Sequence, residues 1–187
     1  MPRAGLDTER VVAAASAIAD ADGLDAVTLA RVAGGLGVRA PSLYNHVDGR
    51  AGLLRALALR GVRELTAALR EAAIGRSGPD ALAATAHAYR AYAIAHPGLY
   101  AASVAAPAPE DAEHRAAAQE TVDVVYAVLR GWDLEGDDAV HAARAFRSAI
   151  HGFVLLEAAG GFGMPVDLGA SFERLVATLA GGLATGR

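Results

Sequence analysis

The chain has 187 residues, 53% of them apolar and 20% charged, and it contains no cysteine. That is enough for one large domain, or a small one joined to a larger one, with a sizeable core. It excludes disulfides, thiolate metal sites and a Cys nucleophile, and it fits a reducing, cytoplasmic setting. The formal net charge of −4 does not announce a nucleic-acid partner, so any such function must come from local placement. Residues 1–50 carry five Arg against six Asp and Glu, close to neutrality. The opening stretch MPRAGLDTER has no apolar segment of the signal-peptide kind. The longest uncharged run, 91–109, is interrupted by Pro97, Gly98, Pro107 and Pro109 and makes a poor membrane span, so no membrane partner is expected. An Ala-rich, aromatic-poor composition points to an all-α fold.

Thr8-Glu9 ahead of Val11, Ala14, Ala15 and Ile18 reads as a helix start, with the helix ending near Gly23. Thr28 reads as a second N-cap. Behind it Leu29, Val32, Ala33 and Leu36 fall at i, i+3, i+4 and i+7, and Gly37 is placed to stop the helix. A third short helix is expected from about Arg39 to His46, with Pro41 tolerated in its first turn. Leu43 and Val47, four apart, would hold one face of it to the first two helices. After a turn at Asp48-Gly49, a long helix runs from about Arg50 to Ala73. GRSGPD at 75–80 is the clearest break and the expected domain boundary, giving domains at 1–50, with the connecting helix at about 50–73, and 75–187. Further helices are expected over 79–96, 97–104, 110–131, 137–159 and 168–184.

Two short helices around a tight Gly-containing turn form a helix-turn-helix, whose second helix lies in the DNA major groove. That geometry accounts for LGVRAPSLYNHV at 36–47, a polar and aromatic stretch in an otherwise Ala-, Leu-, Val- and Gly-rich chain. With Leu43 and Val47 turned inward, Ala40, Pro41, Tyr44 and Asn45 face outward. The small residues allow close approach, Asn45 can read a base edge, and Ser42, Tyr44 and His46 can donate to phosphates. Thr28 offers a hydroxyl and free backbone N–H groups where a phosphate would dock. Arg31, Arg39, Arg50 and Arg55 add positive charge.

The segment TLARVAGGLGVRAPSLYNHVDGRAGLL resembles the DNA-binding signature of the TetR (tetracycline-repressor) family of bacterial regulators, over roughly residues 8–57. Beyond that span the likeness is in helical layout alone. The resemblance implies a three-helix DNA-binding domain joined by a long helix to a helical-bundle domain for ligand and dimerisation. It implies phosphate or base contacts from Thr28, Arg39, Ala40, Pro41, Tyr44, Asn45, His46 and Arg50. The turn departs from the family pattern: Gly49-Arg50 follows Asp48 where Asn-Lys is frequent. The family's last two helices pair with a second copy. Here those helices carry Phe146, Ile150, Phe153 and Val154, then Leu168, Phe172, Leu175, Leu179 and Leu183, with small residues at 149, 152 and 180–182. AIHGFVLLEAAGGFG is similar to a C-terminal class of the family named for a Trp-His-Gly motif; His151-Gly152 is present, without the Trp.

Polar and aromatic groups on the middle helices mark the expected effector pocket: Tyr89, Tyr92, His96, Tyr100, Tyr126, Trp132, His141, Arg144 and His151. His141, Arg144, Ser148 and His151 share one helical face. The six His include no pair spaced i, i+3 or i+4, and no phosphate loop or nucleophile elbow appears, so no metal, cofactor or catalytic set is expected. The resulting expectation is a dimeric regulator, more a repressor than an activator, that binds double-stranded operator DNA and a small-molecule effector. A helical enzyme, or a partner-binding protein whose helix-turn-helix does not read DNA, are the alternatives.

Overall fold

A computed structural model of the chain describes residues 5–185, so the first four residues of the N-terminal stretch and the final Gly-Arg lie outside the described residues. The described residues form eight α-helices: α1 (Thr8–Asp22), α2 (Leu29–Leu36), α3 (Gly49–Ala73), α4 (Gly78–Ala95), α5 (Pro97–Ser103), α6 (Ala112–Leu129), α7 (Gly136–Ala158) and α8 (Leu168–Thr185). Short 3-10 turns lie at Leu24–Ala26, Ala40–Asn45 and Arg130–Trp132, and no strand occurs among the described residues. The all-α architecture agrees with the composition, and the long helices fall within a few residues of their expected spans. No helix among the described residues is long and apolar enough to cross a membrane.

Two local assignments differ from the sequence reading. The N-cap of α1 is Asp7, whose carboxylate accepts from the Arg10 N–H at 2.8 Å; Thr8 is the first helical residue. Either residue type can cap, so the pattern alone does not choose between neighbours. The third helix is a 3-10 segment, shorter than the expected helix over 39–46. Pro41 supplies no N–H, and Ser42 donates to the Arg39 carbonyl at 2.9 Å, an i to i−3 bond. Six residues give an α-helix too few bonds to offset its nucleation.

The chain divides into two compact units, residues 1–64 with 95–115, and residues 65–94 with 116–187. Helix α5 therefore groups with the N-terminal helices, and the units do not follow the break at 75–80. In the first unit, Val11, Ala15, Val27, Val32, Leu43, Leu53, Leu57 and Leu99 form the centre of the core. They come from α1, α2, the Ala40–Asn45 turn, α3 and α5, with Val27 from the link between the Leu24–Ala26 turn and α2. Two glycines let α5 sit close. A Cβ on Gly98 would stand 2.1 Å from the Ala19 carbonyl carbon, and one on Gly61 would stand 2.5 Å from the Leu99 oxygen.

In the second unit, Leu69, Leu82, Tyr89, Val128, Trp132, Phe146, Ile150, Val154 and Phe172 are buried. Arg90 ties α4 to α7: its Nε donates to Glu157 Oε2 at 2.8 Å, and the pair is only 18% exposed on each side. The guanidinium lies 4.9 Å from the Phe172 ring centre and 5.6 Å from that of Phe153, a cation–π arrangement. The Arg90 bond holds the Glu157 carboxyl below its ordinary range. His87 meets Glu173 at 2.9 Å, linking α4 to α8.

Candidate functional site

The candidate reading segment, residues 39–47, is built outward from Leu43, which is completely buried, and Val47, which is nearly so. Burying two aliphatic side chains on one side of so short a turn fixes which side faces solvent. Arg39, Pro41, Tyr44 and Asn45 are exposed, Tyr44 at 63%, while Ala40, Ser42 and His46 are partly buried. A tyrosine that open on a rigid turn has an apolar body and a hydroxyl available to a partner. Gly37 ends α2 in the left-handed conformation at φ 68°, and Val38 donates back to the Ala33 carbonyl at 3.0 Å. This Schellman-type closure turns the chain sharply into the reading segment.

Thr28 caps α2: its hydroxyl oxygen accepts from the Arg31 N–H at 3.2 Å. The first-turn N–H groups of α2 have no intrahelical partner, and the Thr28 hydroxyl proton remains able to donate. Thr28 and the outward residues of 39–46 thus belong to one helix-turn-helix.

Three of the arginines expected to supply positive charge are committed elsewhere. Arg31 is paired with Asp22. Arg55 donates to Asp111 at 2.6 Å and to Glu113 at 3.0 Å, and Arg63 donates to Glu113 at 3.0 Å. The Arg55 contact holds the Asp111 carboxyl down to about 2. Arg50 turns back on the chain, with Nε 3.0 Å from the Val27 carbonyl and Nη2 3.2 Å from that of Leu24. Nothing in the local sequence marks the Arg55 and Arg63 pairs, because their carboxylates lie 50–58 residues away.

The residues expected around an effector are divided between the two compact units. His96 and Tyr100 belong to the first unit, where His96 Nδ1 stands 3.2 Å from Asp20 and Tyr100 is buried. Tyr89, Tyr92 and Trp132 are buried in the core of the second unit, and Tyr126 is partly buried. On α7, His141, Arg144 and Ser148 are exposed, and His151 is half-buried. Desolvation pushes the His151 imidazole below its ordinary value, and nearby Arg147 adds to the shift.

His141 alone of that set lines an open cleft of about 360 Å³ between α4, α7 and α8. Leu82, Leu134, Phe146, Leu179 and Leu183 make it mostly apolar, and Asp138 and Thr178 add polar groups. The apolar members are unremarkable as sequence, since core and cleft leucines share one helical spacing. The side chains of Phe146, Ile150, Val154 and Phe172 are spent inside the unit, while Leu155 and Leu156 of α7 stay about half exposed and Leu175, Leu179 and Leu183 of α8 are partly buried.

Known proteins carry the same arrangement. The family model for the Tetracyclin repressor-like, C-terminal domain matches residues 82–179. An uncharacterized HTH-type transcriptional regulator of Mycobacterium tuberculosis is 40% identical over 181 residues, 96% of this chain and 83% of that protein. The structure of a protein with unknown function from a Rhodococcus species superposes with a TM-score of 0.83 at 28% identity, covering 99% of this chain and all of that one. An Acinetobacter baumannii TetR variant in complex with minocycline shares the fold, with a TM-score of 0.73 at 24% identity over 95% of this chain and 96% of that one. A helix-turn-helix at the N-terminal end, a matching C-terminal domain and a full-length regulator relative together show that this chain belongs to the TetR family of helix-turn-helix transcriptional regulators.

Proposed function

We propose that the protein is a ligand-responsive repressor that leaves a palindromic operator when a small molecule binds. The observation that carries this reading is the outward surface of the reading segment, with Tyr44 63% exposed while Leu43 beneath it is fully buried. Arg39, Ala40, Pro41, Ser42, Tyr44, Asn45 and His46 form the surface that meets DNA, and Thr28 docks a phosphate at the start of α2. Two copies joined through α7 and α8 present two reading segments about one groove repeat, ~34 Å, apart. The protein acts in the cytoplasm, where its operator lies, and has no catalytic role.

By function the division falls at 75–80, with operator binding in the N-terminal part and effector binding and dimerisation in residues 75–187, although α5 groups with the N-terminal unit. The cleft beside His141 is the favoured entrance for an effector of mostly apolar character, supported by its apolar lining and few polar groups. Tyr89, Tyr92, Tyr126, Arg144 and His151 are candidates to contact it once bound. His96 and Tyr100 sit where they would answer to the reading unit instead. Helix α3 is continuous from Gly49 to Ala73 and supplies residues to both units, so it can carry a change of tilt to the reading segment. The effector then selects between two spacings of the dimer's reading segments.

Selection of sites from a random DNA pool, followed by titration of wild type and Tyr44→Ala at two salt concentrations, tests the reading. A palindromic site whose affinity falls about tenfold or more in the variant, and falls with salt, is the expected result. No enrichment at low salt, with protein unfolded and refolded to strip a bound effector, would leave a helix-turn-helix that does not read DNA.

A further inference from the structure

We infer that Arg50 positions the reading head by gripping the protein's own backbone at the surface, rather than by holding a phosphate. This inference rests on the DNA-binding reading above and assigns one of its residues a different task.

Arg50 is on the first turn of α3, where a positive charge faces the positive end of the helix dipole and gains nothing locally. Its guanidinium is instead laid on two carbonyls one 3-10 turn apart, those of Leu24 and Val27, at 3.2 and 3.0 Å. Leu24 opens the Leu24–Ala26 turn and Val27 caps its end in an extended conformation, and their two carbonyls together accept from the Nε and Nη2 of one planar fork. Asp25 adds a weaker attraction at 3.9 Å.

The two ends of this strap matter for reading. Val27 directly precedes Thr28, the cap of α2, and Arg50 follows the reading segment by five residues. The strap therefore joins the start of the supporting helix to the exit of the reading turn, across 23 and 26 residues of chain. With the buried Leu43 and Val47 it closes a frame, so the angle between α2 and the reading segment is held before DNA arrives. A lysine offers its three donors from a single nitrogen and lacks the parallel fork that spans both carbonyls, but it would serve a phosphate well. That difference makes the assignment testable.

Operator titrations of wild type, Arg50→Lys and Arg50→Ala across a salt series separate the roles. If Arg50 is a strap, both variants lose affinity by about tenfold, and their plots of log affinity against log salt stay parallel to wild type. Amide exchange of residues 27–29 in the DNA-free protein then rises in both variants, a change that loss of a phosphate contact does not produce. Should Arg50→Lys bind like wild type while Arg50→Ala flattens the salt slope by about one contact per subunit, the assignment is overturned. If Arg50→Ala does not fold, Arg50→Lys against wild type still decides, because the two roles predict opposite results for it. Wild type that binds no operator would sink the DNA-binding reading itself, an outcome distinct from equal binding by wild type and Arg50→Lys.

Discussion

Asp20, near the end of α1, closes the start of α5 through Gly98: its Oδ1 accepts from the Gly98 N–H at 2.8 Å and from the Leu99 N–H at 3.0 Å, while Oδ2 lies 3.2 Å from His96 Nδ1. A side chain 76–79 residues away thus does what a local cap does elsewhere, because His96, at the N-cap position, makes no side-chain cap bond. Replacing Asp20 with Ala is expected to lower stability by about 1–2 kcal/mol, as lost caps do. Asp20→Asn, which keeps an acceptor oxygen, should recover part of that. Urea titrations of the two variants check the ordering; an Asp20→Ala midpoint equal to wild type would show that the cap contributes nothing.

Gly98 and Gly34 give opposite expectations for the same substitution. A Cβ on Gly98 would stand 2.1–2.6 Å from backbone atoms of Ala19 and Asp20, which cannot move aside as a flexible side chain can. Gly98→Ala should cost about 3 kcal/mol or more. Gly34 lies in α2 with nothing within 4 Å of that position, so Gly34→Ala should stabilise by up to about 1 kcal/mol. Equal melting temperatures for the two variants would contradict the close approach of α5 to α1.

The Arg90–Glu157 pair should behave as a partly buried ion pair does. Arg90→Met leaves Glu157 without its partner, at a cost of about 2–3 kcal/mol, whereas Arg90→Met with Glu157→Leu should recover much of it. The pH dependence has a definite sign. Because Arg90 holds the folded carboxyl below its ordinary value near 4.5, its contribution is complete above that pH and is lost as pH falls through the folded value. Acid melts of wild type should therefore steepen below pH 4.5 relative to the double variant, and superimposable acid limbs would refute the coupling.

His151 sets a second pH dependence, nearer neutrality. Burial keeps its imidazole neutral in the folded chain to lower pH than the ordinary value of 6.5. The unfolded chain binds that proton first, so stability is full above pH 6.5 and declines as the pH drops below it. Melting temperatures between pH 8 and 5.5 should fall less steeply in His151→Asn than in wild type.

Legibility in the sequence followed the range of the interactions. The α2 stripe, the Thr28 cap, the left-handed Gly37 and the inward Leu43 are all set by neighbours a few residues away, and the structure has each as its pattern predicts. α1 starts at Thr8, as the pattern predicts, but the capping side chain is that of Asp7, one residue earlier. The grouping of residues 95–115 with the N-terminal helices had no local sign, since it depends on Asp20, Gly61 and Gly98 meeting partners far along the chain. The same holds for charge. Arg55 reads as a cation for DNA until Asp111 and Glu113 are brought beside it. Tyr89 and Tyr92 suggest a pocket by their hydroxyls and the structure buries both, and periodicity cannot tell a pocket wall from packed core.

The pairing of Arg31, Arg55 and Arg63 with carboxylates has a kinetic side. Charge that is already answered within the protein exerts little pull on a distant polyanion, so encounter with DNA proceeds without strong steering, nearer 10⁵–10⁶ M⁻¹s⁻¹ than the 10⁸ or more of steered pairs. The same shortage of loose cations weakens the hold on phosphates of any sequence. On the function proposed above, a reader built this way is expected to sample the genome by frequent release and short visits rather than long slides, and to reserve its residence time for its own operator.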